Sequence, residues 1–342
     1  HNLGVVRKLV PGSMVASVVK ADGYGHGLTR VAGALQDSDL LAVATSGEAA
    51  ALRKGGWNGR LLMLEGFANT GEFELASSLN AETVVHHHSQ MEMLRQRGWS
   101  KGKKIWLKID TGMHRLGFPM EDVPAVFSEL ETIAGSGAVT LMSHFACADE
   151  AENPKTRSQI QRFDESIRGL DAEHSLANSA AILNFAQSHR HVVRPGILLY
   201  GISPEADQVA AEIGLKPAMT LSCELVAINR CHKGDTIGYG ATYTCPEDMR
   251  IGVAAIGYGD GYPRHLRNGT PVLLNGRKAK LAGRVSMDLI TLDLRGHDDA
   301  VTGDRVVLWG EGLAVETVAP WADALPYELI CGVTGRVPRI AV

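Results

Sequence analysis

The stretch Met14-Val15-Ala16-Ser17-Val18-Val19-Lys20, followed by Ala21-Asp22-Gly23-Tyr24-Gly25-His26-Gly27, decides how the first half of the chain is read. Its first seven residues are apolar or β-branched but for Ser17 and Lys20. Such a run reads as a strand buried on both faces, and the glycine-rich turn behind it is expected to open a helix. Comparable runs recur at 40–45, 60–65, 81–86, 104–110, 139–145, 174–178 and 192–200. Helix-compatible segments such as 48–54, 123–134 and 155–170 separate them. Eight alternating units predict an α/β fold of the (β/α)8 TIM-like barrel type rather than an open doubly wound sheet.

In such barrels the chemistry gathers at the carboxyl ends of the strands. That draws attention to Lys20, Asp110, His144, Asn178 and Arg194, which stand at or near run ends. Beyond Tyr200 the texture changes. Residues 203–214 read as a linker, and short alternating runs with Gly, Pro and Asn follow. Asn275-Gly276, between short runs at 271–274 and 278–281, is a hairpin signal. The division expected is a barrel over 1–216 and a mainly β C-terminal domain over 217–342, closed by one short helix around 314–322.

Composition limits the function classes. At 342 residues, 45% hydrophobic and 21% charged, the chain can bury a large core. A net charge of -4 with no Lys/Arg run gives no footprint for nucleic acid. No apolar stretch reaches the length of a membrane span and no leader-like segment opens the sequence, so a cytoplasmic protein is expected. Cys147, Cys223, Cys231, Cys245 and Cys331 are scattered without a C-x-x-C pair, which argues against zinc and against a disulfide framework. Adjacent strand residues point to opposite faces, so His86-His87-His88 is a poor metal site, and no metal is expected.

A lysine at a barrel strand end reads equally well as an ion-paired side chain or as an amine whose pKa is lowered for imine chemistry. Its context separates the two. Seven further segments occur in order: 107–117 (Leu-Lys-Ile-Asp-Thr-Gly-Met-His-Arg-Leu-Gly), Ser143-His144-Phe145-Ala146, Asn178-Ser179-Ala180, Val193-Arg194-Pro195-Gly196-Ile197, Gly238-Tyr239-Gly240-Ala241-Thr242, 257–262 (Gly-Tyr-Gly-Asp-Gly-Tyr) and 283–288 (Gly-Arg-Val-Ser-Met-Asp). Together with the Lys20 segment they resemble the alanine racemases, pyridoxal-phosphate enzymes of fold type III, and the likeness covers nearly the whole chain.

The resemblance implies that Lys20 holds pyridoxal 5'-phosphate as an imine. It implies that Lys20 and Tyr239 act as opposed acid/base groups, Lys20 serving D-alanine and Tyr239 L-alanine. Such a pair is the simplest solution for racemisation, because a proton leaves one face and returns on the other. A phenol of ordinary pKa near about 10 needs cationic neighbours to act as a base. Arg194 is expected to face the pyridine nitrogen. The phosphate is expected against the N–H groups of Gly196 and Ile197, the hydroxyls of Tyr24, Ser179 and Tyr327, and the helix after Asn178. Arg115 matches the residue that approaches the substrate carboxylate and the cofactor's phenolic oxygen, and Lys108 a lysine often carbamylated in the family. His144 is expected to orient Arg194. Some relatives carry a histidine three residues before the asparagine. Here that place is Ser175, with His174 beside it, and whether His174 substitutes stays open.

Met287, Tyr258 and Tyr262 match the family's substrate entrance and pocket wall, where bulk would favour alanine, and Asn178, Tyr258 and Asp288 are expected close behind the reacting groups. A head-to-tail homodimer with shared active sites is implied, Tyr239 and Met287 of one subunit completing the site of the other. His1-Asn2-Leu3 resembles the start of the family's first helix, which a strand and an initiator methionine precede in the family.

Three rivals differ in what they need. A serine or broad-specificity racemase would keep fold and cofactor. A non-catalytic pyridoxal-phosphate carrier would need neither the Tyr239 segment nor a second domain. An imine-forming aldolase would need neither phosphate donors nor Arg194.

Overall fold

The computed structural model describes residues 1–205 and 208–341, in two compact units that divide at Leu199 and Tyr200, with 204–205 belonging to the first. The first unit holds eight parallel strands: β1 (Met14–Val18), β2 (Leu40–Val43), β3 (Arg60–Met63), β4 (Glu82–Val85), β5 (Ile105–Lys108), β6 (Val139–Met142), β7 (Glu173–Ser175) and β8 (Val192–Val193). Their order, β7-β6-β5-β4-β3-β2-β1-β8, runs round a cylinder. Every residue of β2, β4, β5 and β6 is buried, because the barrel interior covers one face and helices the other.

No ladder joins β7 to β8 among the described residues. The gap is bridged by Arg194 N–H donating to Ala177 O at 2.8 Å and Ser175 Oγ donating to Val192 O at 2.7 Å. The result is a near-closed TIM-like barrel. The strands stop before the apolar runs do: β1 ends at Val18, β5 at Lys108 and β8 at Val193. Residues past those ends stay buried but leave the sheet for turns, among them a 3-10 turn over Ile197–Tyr200.

The second unit is antiparallel. Strands β9 (Leu221–Cys231), β12 (Met249–Ala254), β13 (Pro271–Leu274), β14 (Arg277–Leu281), β15 (Ile290–Asp293) and β16 (Arg305–Trp309) close into a barrel ordered β12-β15-β14-β13-β16-β9. A small hairpin of β10 (Thr236–Ile237) and β11 (Tyr243–Thr244) projects between β9 and β12. The Asn275-Gly276 turn has φ of 48° and 78°, the left-handed pair of a type I′ hairpin.

Two expectations need correction. The expected C-terminal helix appears as Val315–Val318 running into a 3-10 turn, but a second helix, Pro326–Cys331, follows it. Proline at its start was readable as a breaker, yet at N1 a missing N–H costs nothing. Within the expected linker lies a 3-10 turn at Ala210–Ile213, while 206–207 fall outside the described residues. Among the described residues no helix is long and apolar enough to cross a membrane, and no cluster of three metal-ligating side chains occurs.

Candidate active site

Lys20 stands just past β1 at the carboxyl end of the barrel, half-buried, and opens a left-handed turn. Ala21, Asp22 and Tyr24 have φ of 54°, 53° and 50°, and Gly23 and Gly25 continue the same hand. Each non-glycine residue in that region costs about 1–2 kcal/mol, so the turn must be held from outside. From outside, Ala21 N–H donates to Glu48 Oε1 at 2.6 Å; locally, Gly23 N–H donates to Val19 O and Gly25 N–H to Ala21 O, both at 2.9 Å, while Leu28 N–H donates to Asp22 Oδ1 and Gly27 N–H to Asp22 O, both at 2.8 Å. The helix expected after the turn begins at Leu28.

Arg194, just past β8, is 4% exposed. Its guanidinium donates to Ser175 Oγ (2.6 Å), Ser143 O (2.7 Å), Leu176 O (3.1 Å) and His144 Nδ1 (3.2 Å), all neutral. Since a guanidinium only donates, His144 Nδ1 accepts and its proton sits on Nε2. Burial pushes the Arg194 pKa down to about 10, which leaves it cationic at neutral pH. Burial, then Arg194, Lys108, Arg115 and Lys20, hold His144 well below the ordinary imidazole range. Ser175, not His174, contacts Arg194. His174 packs edge-on against Phe163 and His191 on the outside of β7.

Lys108, at the end of β5, is 8% exposed. Burial, then Arg194, Arg115 and Lys20, push its ammonium down to about 8, against the opposing pull of Asp110. Asp110 turns away to hold the following loop: its Oδ1 accepts the N–H groups of Gly112, Met113 and His114 at 2.8, 3.0 and 3.1 Å. Burial works against that carboxylate, but these bonds and His114 outweigh it and keep its pKa low. The loop carries Arg115, whose side chain is exposed over a cleft also lined by Lys108, Asp110, Ser143 and His144. Lys20, Lys108, Arg115 and Arg194 thus gather around Asp110, a surplus of positive charge fit for an anionic ligand.

A second group of donors lies beside Arg194 in sequence. Asn178 caps the helix Ser179–Asn184 through Oδ1 to Ala181 N–H at 3.0 Å. Gly196 N–H donates to Ser179 Oγ at 2.9 Å, and Ile197 is buried next to it. A Cβ at residue 196 would come within 2.5 Å of Tyr24 Oη. Glycine is therefore what lets the tyrosine hydroxyl, the serine hydroxyl and a backbone N–H converge. Neutral hydroxyl and amide donors suit a phosphate and the Lys20 amine suits an aldehyde, so the residues present fit pyridoxal phosphate.

The remaining expected residues belong to the second unit. Tyr239 sits at the tip of the β10–β11 hairpin between Gly238 and Gly240, at φ of 69° and 75°, and is 68% exposed. The Arg284 guanidinium lies along that tip, 3.7 Å from where a Cβ on Gly240 would stand. Tyr258 and Met287 are brought together: Tyr258 N–H donates to Ser286 O at 3.0 Å and Gly259 N–H to Met287 O at 2.9 Å. Arg336 ties the two loops, meeting Asp288 at 2.7 Å and Asp260 at 3.3 Å. Tyr327 lies on the helix Pro326–Cys331. Tyr262 corrects the expectation of a pocket wall. It is 0% exposed, stacked on Trp309 inside the second barrel, so no substrate reaches it.

Sequence reasoning missed Glu48, Gln159 and Ser175's bond to Arg194. Glu48 was readable as the fourth residue of Thr45-Ser46-Gly47-Glu48, a capping pattern. Gln159 ties the His144 loop through His144 O (3.0 Å) and Ala146 N–H (3.0 Å), and a glutamine inside a helix gives no signal. The three histidines part company: His86 Nε2 meets Glu65 O, His87 caps the helix His88–Arg97, and His88 lies edge-on to Phe118.

The profile of the alanine racemase N-terminal domain matches residues 1–204, and that of the C-terminal domain residues 218–341. An alanine racemase of Nitrosococcus oceani is 50% identical over 340 residues, covering 99% of this chain and 95% of that protein. One of Shewanella sediminis is 45% identical, covering 100% and 95%. The crystal structure of biosynthetic alanine racemase from Pseudomonas aeruginosa superposes with a TM-score of 0.95 at 44% identity, covering 99% of this chain and 95% of that one. The alanine racemase structure from Acinetobacter baumannii gives 0.90 at 36%, covering 98% and 94%.

Proposed function

The chain belongs to the alanine racemase family and catalyses the interconversion of L- and D-alanine, and from that premise we propose how its residues divide the work. Lys20 Nζ would hold pyridoxal phosphate until the substrate amino group takes its place and frees the lysine amine, and the cofactor would then supply an electron-withdrawing ring that acidifies the α C–H bond of the amino acid. Tyr24, Ser179, Gly196, Ile197 and Tyr327 would hold its phosphate. Arg194 would face the ring nitrogen as a permanent donor, leaving that nitrogen no proton to accept.

Arg115 binds the substrate carboxylate. Carbamylation of Lys108 would convert a buried ammonium into an anion that fixes the Arg115 guanidinium. Lys20 Nζ takes or returns the α-proton on the D side, and Tyr239 Oη does so on the L side. Arg284, beside the Tyr239 tip, supplies the cationic neighbour that a phenolate needs. Tyr258 and Met287, with Asp288 behind them, narrow the approach to a methyl side chain. Because Tyr239 stands on an exposed hairpin, we assign it to the site of a partner subunit in a homodimer.

The observation that carries this reading is the gathering of Lys20, Lys108, Arg115 and Arg194 at the carboxyl end of the barrel, close enough for the other three to push the buried Lys108 amine toward its neutral form. Tyr239→Phe tests it. Racemisation should fall by at least about a hundredfold, the usual loss of a general acid/base, with the visible absorbance of the bound cofactor nearly unchanged. Loss of that absorbance, or retained turnover, would remove Tyr239 from the acid/base pair. L-Serine turning over faster than L-alanine in the same chiral assay would overturn the substrate.

A further inference from the structure

Lys20 is fixed on both sides by its backbone. Before it, Val19 N–H donates to Ala42 O at 2.8 Å, the last bond between the β1 and β2 segments. After it, Ala21 N–H donates to Glu48 Oε1 at 2.6 Å. Lys20 lies between those anchors, spanned by Gly23 N–H donating to Val19 O at 2.9 Å, so the bond at Ala21 helps to set where its side chain starts. Beyond that anchor the chain enters a run of five left-handed residues, a conformation that L-amino acids do not hold unaided.

Glu48 does more than cap its own helix. A capping box needs one carboxylate oxygen on the backbone at the helix start, and Oε2 fills that need by accepting Ala44 N–H at 2.9 Å and Thr45 N–H at 3.2 Å. The other oxygen is left over for the cap, yet it reaches 27 residues back along the chain to Ala21. A charged acceptor on a backbone N–H is among the stronger hydrogen bonds. The helix Ser46–Lys54 is thereby used as a mount, its Glu48 carboxylate set by the Ala44 and Thr45 N–H groups, from which one oxygen pins the segment that follows the reactive amine.

We propose that Glu48 is a positioning residue for proton transfer at the D side, acting by locking the left-handed turn after Lys20 and so fixing the amine's approach to the substrate α-carbon. This rests on Lys20 being the D-side acid/base group. The proton moves between Lys20 Nζ and the α-carbon and Glu48 itself exchanges none, so the balance of the reaction is unaltered.

The test uses Glu48→Gln, which keeps the shape but replaces one acceptor oxygen by a donor, and Glu48→Asp, which keeps the charge but shortens the reach. Thr45→Val is the control: it weakens the same helix start without touching Ala21. In the cofactor-free chain, amide hydrogen exchange of the peptide spanning 19–27 should quicken on the order of tenfold in Glu48→Gln and less in Glu48→Asp, with Thr45→Val near wild type there.

In the loaded enzyme, kcat should fall about tenfold. The α-deuterium isotope effect should grow with D-alanine and shrink with L-alanine, because the Lys20 step becomes the slower of the two. A merely structural loss lowers the active fraction and leaves both isotope effects where they were. That result, unchanged exchange at 19–27, or the same isotope pattern in Thr45→Val would each overturn the proposal. An effect that grows with L-alanine instead would support Glu48 as the positioner of Lys20 and overturn the assignment of faces to Lys20 and Tyr239.

Discussion

A guanidinium buried as deeply as that of Arg194 normally brings a carboxylate with it, since an uncompensated charge in the interior is expensive. Here the cost is met by two backbone carbonyls, a serine hydroxyl and a neutral imidazole. The charge is therefore not cancelled, and its field acts on Lys108 and His144, both of which are pushed toward their neutral forms. For Lys108 the consequence can be measured. With its pKa lowered from 10.5 to about 8, the folded chain binds fewer protons than the unfolded one between those values. The penalty is complete below pH 8, fades as pH rises, and vanishes above 10.5; at ~1.4 kcal/mol per unit it amounts to roughly 3 kcal/mol. Lys108→Met in carbon-dioxide-free buffer should therefore be more stable than wild type near pH 7, with the gain disappearing toward pH 10.5. Added bicarbonate near pH 8 should raise the Tm of wild type, by letting the neutral amine form a carbamate, and leave Lys108→Met unmoved. Melting curves indifferent to bicarbonate in both would end the carbamate proposal. None of this coupling was legible in the sequence beyond the identities of the residues. Lys20, Arg115 and Arg194 stand in recognisable segments, whereas Ser175 and Glu48 act through bonds to residues 19 and 27 positions away, which no local pattern announces.

At the scale of elements, the eight runs were legible because a strand covered on both faces must be apolar throughout. Their ends were not, because burial continues into the loops after the ladder stops: Val19 and Ile109 are as buried as the strands they follow. Those loops carry Lys20, Asp110 and Arg115, and the one after β1 adopts a hand that Ala21, Asp22 and Tyr24 do not advertise. The Asn275-Gly276 hairpin shows the contrary case, where the turn residues themselves demand positive φ. Tyr262 lies in the core, and a tyrosine in a glycine-bordered turn reads the same in sequence whether its ring faces a pocket or a core. The loop joining Arg194 to the 3-10 turn Ile197–Tyr200 yields a sharper prediction. Gly196 keeps ordinary backbone angles, so Gly196→Ala should fold, but its new methyl would meet Tyr24 Oη at 2.5 Å. Displacing that hydroxyl should weaken retention of pyridoxal phosphate about tenfold or more, by the usual sensitivity of a preformed polar site to an ångström-scale shift. Unphosphorylated pyridoxal should be affected far less. Equal effects on both, read from visible absorbance after dialysis, would take the phosphate away from this loop.

For the whole molecule the question is where Tyr239 does its work. It is 68% exposed at a hairpin tip and Met287 is 52% exposed, so both side chains are open to a partner subunit. If each is supplied to a neighbour, two dead variants should rescue one another. A Lys20→Ala chain carries an intact Tyr239, and a Tyr239→Phe chain carries an intact Lys20. Paired in a closed two-fold dimer, they form one site with both native groups and one site with neither. Random reassortment makes half of the dimers mixed, and one site in two of each is whole, so activity should return to about a quarter of wild type. Each variant alone, or the two mixed without subunit exchange, should stay at background. If Tyr239 served the Lys20 of its own chain, every mixed dimer would hold one site without lysine and one without tyrosine, and no reassortment would restore activity. Mixing the two variants under conditions that dissociate and re-form dimers, then assaying L-alanine racemisation, separates these arrangements, and failure to exceed background would refute the shared site.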